Sequence, residues 1–293
     1  MWGKAGLVAP SGPRGIHMTA IRIAFISDIH NGRDLTSARG TAALPLLEKF
    51  VADANDAAYD AIVDLGDRIS DESSERDREL LAEVAQRFQQ LDAPRHHICG
   101  NHDLNCLTQS DNEALLDGPT NTRSVLVGGV RLAFWQPSVK LSRQHGLRLD
   151  DGDLSSLRDL LNDDERPTLL LTHVPLSGHS LKSNFYFENN PGHATYAEID
   201  DIRQVISQAP CPIAAIAGHV HWNTLTTVDG VPHLSLQSLT ETFTVGEAAG
   251  ATAIMEITDH ALHWTVRGKD PLSLTLRWPR TARWRTPLPP VDG

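Results

Sequence analysis

Seven side chains in this 293-residue chain could hold divalent cations, and each follows a short apolar run. Asp28 and His30 follow residues 21–27, and Asp67 follows residues 60–65. Asn101 follows residues 96–99, His173 follows residues 168–172, and His219 and His221 follow residues 212–217. Two carboxylates, one amide and four imidazoles make a mixed oxygen and nitrogen donor set. Such a set suits two metal ions that activate water for hydrolysis. Polar groups of this kind are costly to bury at strand ends unless something pairs with them. His102 and Asp103 stand beside Asn101 in the stretch Gly100-Asn101-His102-Asp103. An Asp-x-His pair alone signals little and usually marks a surface loop. Weight comes from five clusters in an ordered series, each after an apolar run.

The elements that must position these residues follow from periodicity. Residues 21–27, 60–65 and 96–99 read as strands. Residues 41–58 carry Leu44, Leu47, Phe50, Val51 and Ala54 at helical spacing, and residues 74–91 carry Leu80, Leu81, Val84 and Phe88. Strand, helix, strand, helix, strand predicts a largely parallel sheet with right-handed crossovers. Ligands bind such sheets at the carboxyl ends of the strands. Asp28 and His30, two apart on an extended segment, should point to one side with Ile29 inward. His219 and His221 repeat the arrangement around Val220.

Further along, Gly128-Gly129 predicts a hairpin between 125–127 and 130–135. A helix is expected over 153–161 with Asp153 as its N-cap. Residues 168–172 read as a strand, 197–208 as a helix and 212–217 as a strand. Asp229-Gly230 predicts a second hairpin over 224–236, and 251–257 with 262–266 an antiparallel pair. The expectation is two sheets packed face to face with helices outside, in one domain.

Composition sets bounds. Hydrophobic content of 40% and charged content of 22% are those of an ordinary soluble globular protein. A net charge of -11 disfavours non-specific binding to nucleic acid or a membrane surface. No apolar run approaches a membrane span. Cys99, Cys106 and Cys211 fit no disulfide framework, which points to a reducing, cytoplasmic compartment. Residues 1–20 read as a disordered leader without a signal-peptide core, with Met18 an alternative start. Residues 21–270 read as the domain and 271–293 as an Arg/Trp/Pro-rich tail. In the tail Arg277, Trp278, Arg280, Arg283, Trp284 and Arg285 alternate basic and aromatic character, a pattern that can mark nucleic-acid contact. In so acidic a chain, the expectation is packing against the protein's own surface or a second copy in a homo-oligomer.

The series Asp28-Ile29-His30, Gly66-Asp67, Gly100-Asn101-His102-Asp103, His173 and Gly218-His219-Val220-His221 resembles the calcineurin-like metallophosphoesterases. It is closest in look to their cyclic-nucleotide phosphodiesterase branch. The resemblance spans residues 21 to about 270 and implies an α/β fold, a four-layer αββα sandwich of two mixed sheets flanked by helices. It also implies that Asp28, His30, Asp67 and His221 hold one ion. Asp67, Asn101, His173 and His219 would hold the other, with Asp67 bridging. By the same resemblance metal-activated hydroxide attacks phosphorus, and His102 faces the phosphate as acid or charge stabiliser. Asp103 is expected either to orient His102 or to serve as a turn residue. Arg68 and Ile69 stand where purple acid phosphatases carry a tyrosine, so Mn²⁺ is favoured, with Fe²⁺/Fe³⁺ or Zn²⁺ as alternatives. The implied substrate is a small anionic phosphate ester, a diester before a monoester; a metal-stabilised scaffold is the non-enzymatic alternative.

Secondary candidates are Asn31, read first as a turn residue and second as a phosphate contact, and the loop 176–196, read either as a pocket wall through His179, Asn184, Phe185, Tyr186 and Tyr196 or as a surface loop with a few aromatics tucked under it. His96, His97, His145 and His233 read as structural or exposed.

Overall fold

The apolar runs pair into two six-stranded sheets in a computed structural model that describes residues 20–279 and 288–290. The expected leader, apart from residue 20, and Arg280, Arg283, Trp284 and Arg285 of the tail lie outside the described residues. In chain order the elements are β1 (Ile21–Ile26), α1 (Ala43–Ala57), β2 (Ala61–Asp64), α2 (Ser74–Phe88), β3 (Arg95–His97), α3 (Gln109–Leu116), β4 (Arg123–Val127) and β5 (Val130–Phe134). There follow β6 (Leu141–Ser142), β7 (Gly146–Leu147), α4 (Asp153–Asn162), β8 (Thr168–Leu171), α5 (Ile199–Gln208), β9 (Ile213–Ala217), β10 (Thr224–Val228), β11 (Val231–Ser235), β12 (Thr252–Ile257), β13 (Ala261–Arg267) and β14 (Leu272–Arg277).

The first sheet runs β14-β13-β12-β1-β2-β3 and the second β10-β11-β9-β8-β5-β4. Each is mixed: β1, β2 and β3 are parallel, as are β5, β8, β9 and β11, and the remaining pairs are antiparallel. Alternation along β1 sends Ile21, Ile23 and Phe25 between the sheets and Ala24 and Ile26 toward α1 and α2. In the second sheet Leu169 and Leu171 face inward, while Leu170 and Ala215 pack against α4 and α5. Three apolar interfaces therefore separate four layers, the expected αββα sandwich.

Register decides where the polar clusters emerge. Ile26 pairs with Asp64 and Asp64 with His97, so β1, β2 and β3 end level. Leu171 likewise lies beside Ile216. Residues just beyond these five strand ends meet at one edge of the sandwich, the carboxyl edge expected of parallel strands.

Some local expectations differ. Gly152, not Asp153, is the N-cap of α4; the Asp153 carboxylate instead accepts from the backbone N–H of Asp150 (2.8 Å) and Ser138 (3.0 Å). Helix α3 was not expected, since its eight residues offer few apolar positions. It is nucleated by a capping box in which Thr108 and Asp111 exchange side-chain and backbone bonds. The first sheet also runs past residue 270, because Leu272, Leu274 and Leu276 of β14 pack on the inter-sheet core and Trp278 is buried there.

Candidate metal centre

The residues after the strand ends turn sharply. Ten non-glycine residues among those described have positive φ, and six of them, Asp28, His30, Asp67, Asp71, His219 and His221, fall in this one region. A left-handed backbone disfavours residues with a Cβ and clusters where the surrounding structure enforces it for function. Asp28 and His30 do point the same way, but not as an extended pair: both are left-handed, and Ile29 between them is fully buried. Tight approach explains two glycines. A Cβ on Gly100 would lie 2.1 Å from Asp67 Oδ1, and one on Gly218 would lie 1.9 Å from Ser27 Oγ and 2.6 Å from Asp28 Oδ2.

Two groups of donors result, Asp28, His30 and His221, and Asp67, His173 and His219, and a third, His30, Asp67 and His102, links them. In the first, the Nε2 atoms of His30 and His221 face each other at 3.0 Å, and His221 Nε2 lies 3.2 Å from Asp28 Oδ1. The Asp28 carboxylate is aimed by the His219 backbone N–H (3.0 Å) and by the Ser27 hydroxyl. In the second, His173 Nε2 faces Asp67 Oδ2 at 3.2 Å, while the His102 backbone N–H fixes Asp67 Oδ1 at 2.9 Å. Backbone carbonyls set the tautomers. His173 Nδ1 donates to Leu65 O (2.8 Å), and His219 Nε2 donates to His193 O (2.7 Å). Nε2 of His173 and Nδ1 of His219 are thereby left as lone-pair donors, the arrangement that orients metal-binding imidazoles.

The residues present fit divalent ions. Asn101 Oδ1 is buried without a hydrogen-bond partner, which is costly unless a ligand satisfies it. Burial, with the neighbouring His221 and His102 rings, pushes His30 down to about 3; burial and His173 push His219 down to about 4. Both are therefore neutral donors. Burial works against ionising Asp28, but His221 outweighs it and holds the carboxyl at about 2. Asp67 lies well below the ordinary carboxylate range, since His173 and His102 overcome its burial. Burial also opposes protonation of His173, yet Asp67 lifts it to about 9. That pull toward positive charge is one a cation would satisfy.

His102 has a partner that the sequence reading missed. Its Nδ1 hydrogen-bonds Asp71 Oδ1, in a turn four residues past Asp67. Burial opposes its protonation, but the charges of Asp67 and Asp71, with that bond, raise it to about 9. The ring lies edge-on to His30, with centroids 4.9 Å apart. Asp103 does not orient His102. It is buried and accepts from the backbone N–H groups of Asp67, Arg68 and Gly100 (each 2.9 Å) and from Arg68 Nη1 (2.8 Å). Arg68 also donates to Asp64, which bonds His97 (2.9 Å). Asp103 thus locks the Asp67 turn onto the Asn101 turn. Sequence spacing could not separate these roles, because Asp71 and Asp103 reach the site from different strands.

The sequence matches the calcineurin-like phosphoesterase family over residues 21–223. The chain is a calcineurin-like phosphoesterase. Solved structures share its architecture at low sequence identity. A dimetal phosphatase from Danio rerio is 14% identical with a TM-score of 0.70, over 88% of this chain and 99% of that one. The purple acid phosphatase PPD1 from yellow lupin is 12% identical with a TM-score of 0.61, over 86% of this chain and 52% of that one. GAP50 of Plasmodium is 13% identical with a TM-score of 0.56, over 89% and 90%. No curated protein sequence matched. For a calcineurin-like phosphoesterase, the family implies a divalent two-metal centre, and the two donor groups are where this chain offers it.

In this phosphoesterase the centre opens into a cavity of about 1010 Å³. Asn101, His102, Asp71 and Gln136 line it, as do Asn184, Phe185 and Tyr186 of the loop 176–196. Tyr196 of that loop is instead buried against Trp135, and His179 bonds Ser177 (2.7 Å) away from the centre. Asn31 is buried and donates to Leu80 O and Glu83 Oε2 (each 3.0 Å), so it is a structural residue of the turn, not a phosphate contact. His97 and His233 are buried, His96 is half-buried and His145 is exposed.

Proposed function

We propose that this protein is a two-metal phosphodiesterase. The observation that carries the reading is one cavity lined by members of both donor groups, His30 and His221 with Asp67 and His219, together with the Asp71-paired His102. Asp28, His30, Asp67 and His221 would hold one ion, and Asp67, Asn101, His173 and His219 the other. When bound, the ions supply Lewis acidity toward phosphate oxygens and a nucleophile at neutral pH. The chain does the rest. Asp67 sits between the groups, where a carboxylate offsets repulsion between two cations. His102, held by Asp71, donates a proton to the departing oxygen. A regulatory scaffold would have no use for such an acid.

A diester is favoured by space and charge. A cavity of about 1010 Å³ leaves room for a group on each side of phosphorus. Lys140 and Arg143, on its wall, have no ion-pair partner among the described residues, which suits an anionic ester in a chain of net charge -11. The donors are carboxylate, amide and imidazole without a phenolate, which supports Mn²⁺ or Fe²⁺. All three cysteines are free thiols, in keeping with a reducing, cytoplasmic location.

The test is hydrolysis of bis(p-nitrophenyl) phosphate beside p-nitrophenyl phosphate, on metal-stripped protein with Mn²⁺ restored. Faster metal-dependent release from the diester supports the proposal. Faster release from the monoester replaces it with a phosphomonoesterase using the same side chains. Release from neither, with two ions bound, favours the scaffold.

A further inference from the structure

Four of the chain's ten phenylalanine and tyrosine residues, Phe185, Tyr186, Phe187 and Phe243, line the cavity into which the metal centre opens. Phe187 packs against His219, with centroids 5.2 Å apart, and is buried. The others are not spent on the core. Phe185 is 54% exposed and Tyr186 43%. Phe185 and Phe243, 58 residues apart in sequence, stack on each other with centroids 6.0 Å apart and planes inclined by 18°. Two loops thus bring aromatic side chains to a cavity that the metal-centre residues also line. Phe243 is half-buried, so the pair is only partly withdrawn from solvent, and beside a polar site it reads as a recognition surface.

The loop that carries Phe185 is also fixed in place. Asn184 is buried, donates to Val220 O (3.1 Å) and accepts from the N–H groups of Tyr186 and Phe187 (each 3.1 Å). Tyr186 Oη meets His193 Nδ1 at 2.8 Å, and the His193 carbonyl is the one that orients His219. The aromatic wall is therefore built on the same loop that aims a candidate metal ligand. It presents a preorganised face at low ordering cost.

From this we infer that Phe185 and Phe243 bind a planar aromatic group on the alcohol that stays on phosphorus after hydrolysis, so that the enzyme's preferred esters retain a nucleobase-bearing alcohol. The inference rests on the phosphodiesterase reading and deepens it. Stacking on aromatic side chains tolerates many ring types, since every ring offers a π face. The wall then selects a ring-bearing over an alkyl retained group without naming one base.

The experiment compares thymidine 5′-(p-nitrophenyl) phosphate with methyl p-nitrophenyl phosphate, which share a leaving group and differ in the group retained. The wild-type KM is expected to be about tenfold lower for the thymidine ester. In Phe185→Ala and Phe243→Ala that advantage should vanish, while kcat on the methyl ester stays within about twofold of wild type. Equal KM values for the two esters in wild type, or an advantage that survives both substitutions, overturns the inference. Turnover of neither ester would sink the phosphodiesterase reading alone. Calorimetric binding of thymidine 5′-phosphate against methyl phosphate then decides the matter: tighter thymidylate binding that Phe185→Ala abolishes supports the aromatic wall, and equal binding refutes it.

Discussion

At the scale of single residues, chemistry is divided between groups that would touch an ion and groups that hold them still. Asp67 stands in two groups of donors, one with His173 and His219 and one with His30 and His102. Asp67→Asn is expected to reduce bound metal from two ions to one or none, with activity below 1% of wild type; elemental analysis reads the first and turnover the second. Two ions retained would remove its bridging role. The Asp71 carboxylate hydrogen-bonds His102 and Asn105. Asp71→Asn should keep both ions and lower kcat by roughly 10- to 100-fold, the usual cost of losing an outer partner of a working imidazole. His102→Ala should cost more, roughly 10²- to 10⁴-fold, as removal of a general acid does. The seven candidate donors stood out in sequence because each follows an apolar run. Asp71 did not, since nothing in Ser70-Asp71-Glu72 marks it before β2 and β3 are placed side by side.

At the scale of elements, the strands deliver the donors and the turns aim them. Level strand ends were readable from the βαβαβ alternation, whereas the left-handed turns were not. Asp-x-His and His-x-His look like extended pairs in sequence, and only the backbone shows that alternate residues have positive φ. The crowding at Gly218 gives this scale its test. A methyl group there would press on Ser27 Oγ and Asp28 Oδ2, from a different strand end. Gly218→Ala should therefore loosen the Asp28, His30 and His221 group first and weaken one of two metal-binding events by at least about tenfold. A metal titration that resolves both sites reads this, and unchanged affinity at both would show that the turn relaxes freely. The β6–β7 hairpin region offers a contrast, since it carries Lys140 and Arg143 on the cavity wall rather than any donor. A Lys140→Ala, Arg143→Ala double variant should raise KM for an anionic ester several-fold at low salt, with kcat held, and the difference should shrink at high salt.

At the scale of the whole molecule, one sandwich must hold five strand ends in place while burying several imidazoles that never meet the centre. Two sheets and their flanking helices were legible because alternation and helical spacing are long-range signals. Strand β14 was missed because Arg277 and the Arg/Trp/Pro composition masked its alternating Leu272, Leu274 and Leu276. The neutral burial of histidines has a consequence for stability. Burial, with the nearby Arg203 and His179, lowers His233 to about 4, and burial with Arg123 lowers His96 to about 4. Both imidazoles titrate near 6.5 once the chain unfolds. Between about pH 6.5 and pH 4 the unfolded state therefore binds more protons than the folded state, and stability falls as pH falls. For His233, nearly buried, the loss on going from pH 7.5 to pH 5 is roughly 1–2 kcal/mol. His233→Gln removes that titration, so its urea midpoint should drop less over the same interval than the wild-type midpoint does. Chelator-treated protein keeps metal release out of the comparison, and because His30 and His219 remain in both proteins, their own contribution cancels in the difference. Parallel pH dependence in wild type and variant would mean that His233 is protonated in the fold, with a partner in the small void it shares with Thr172 and His179.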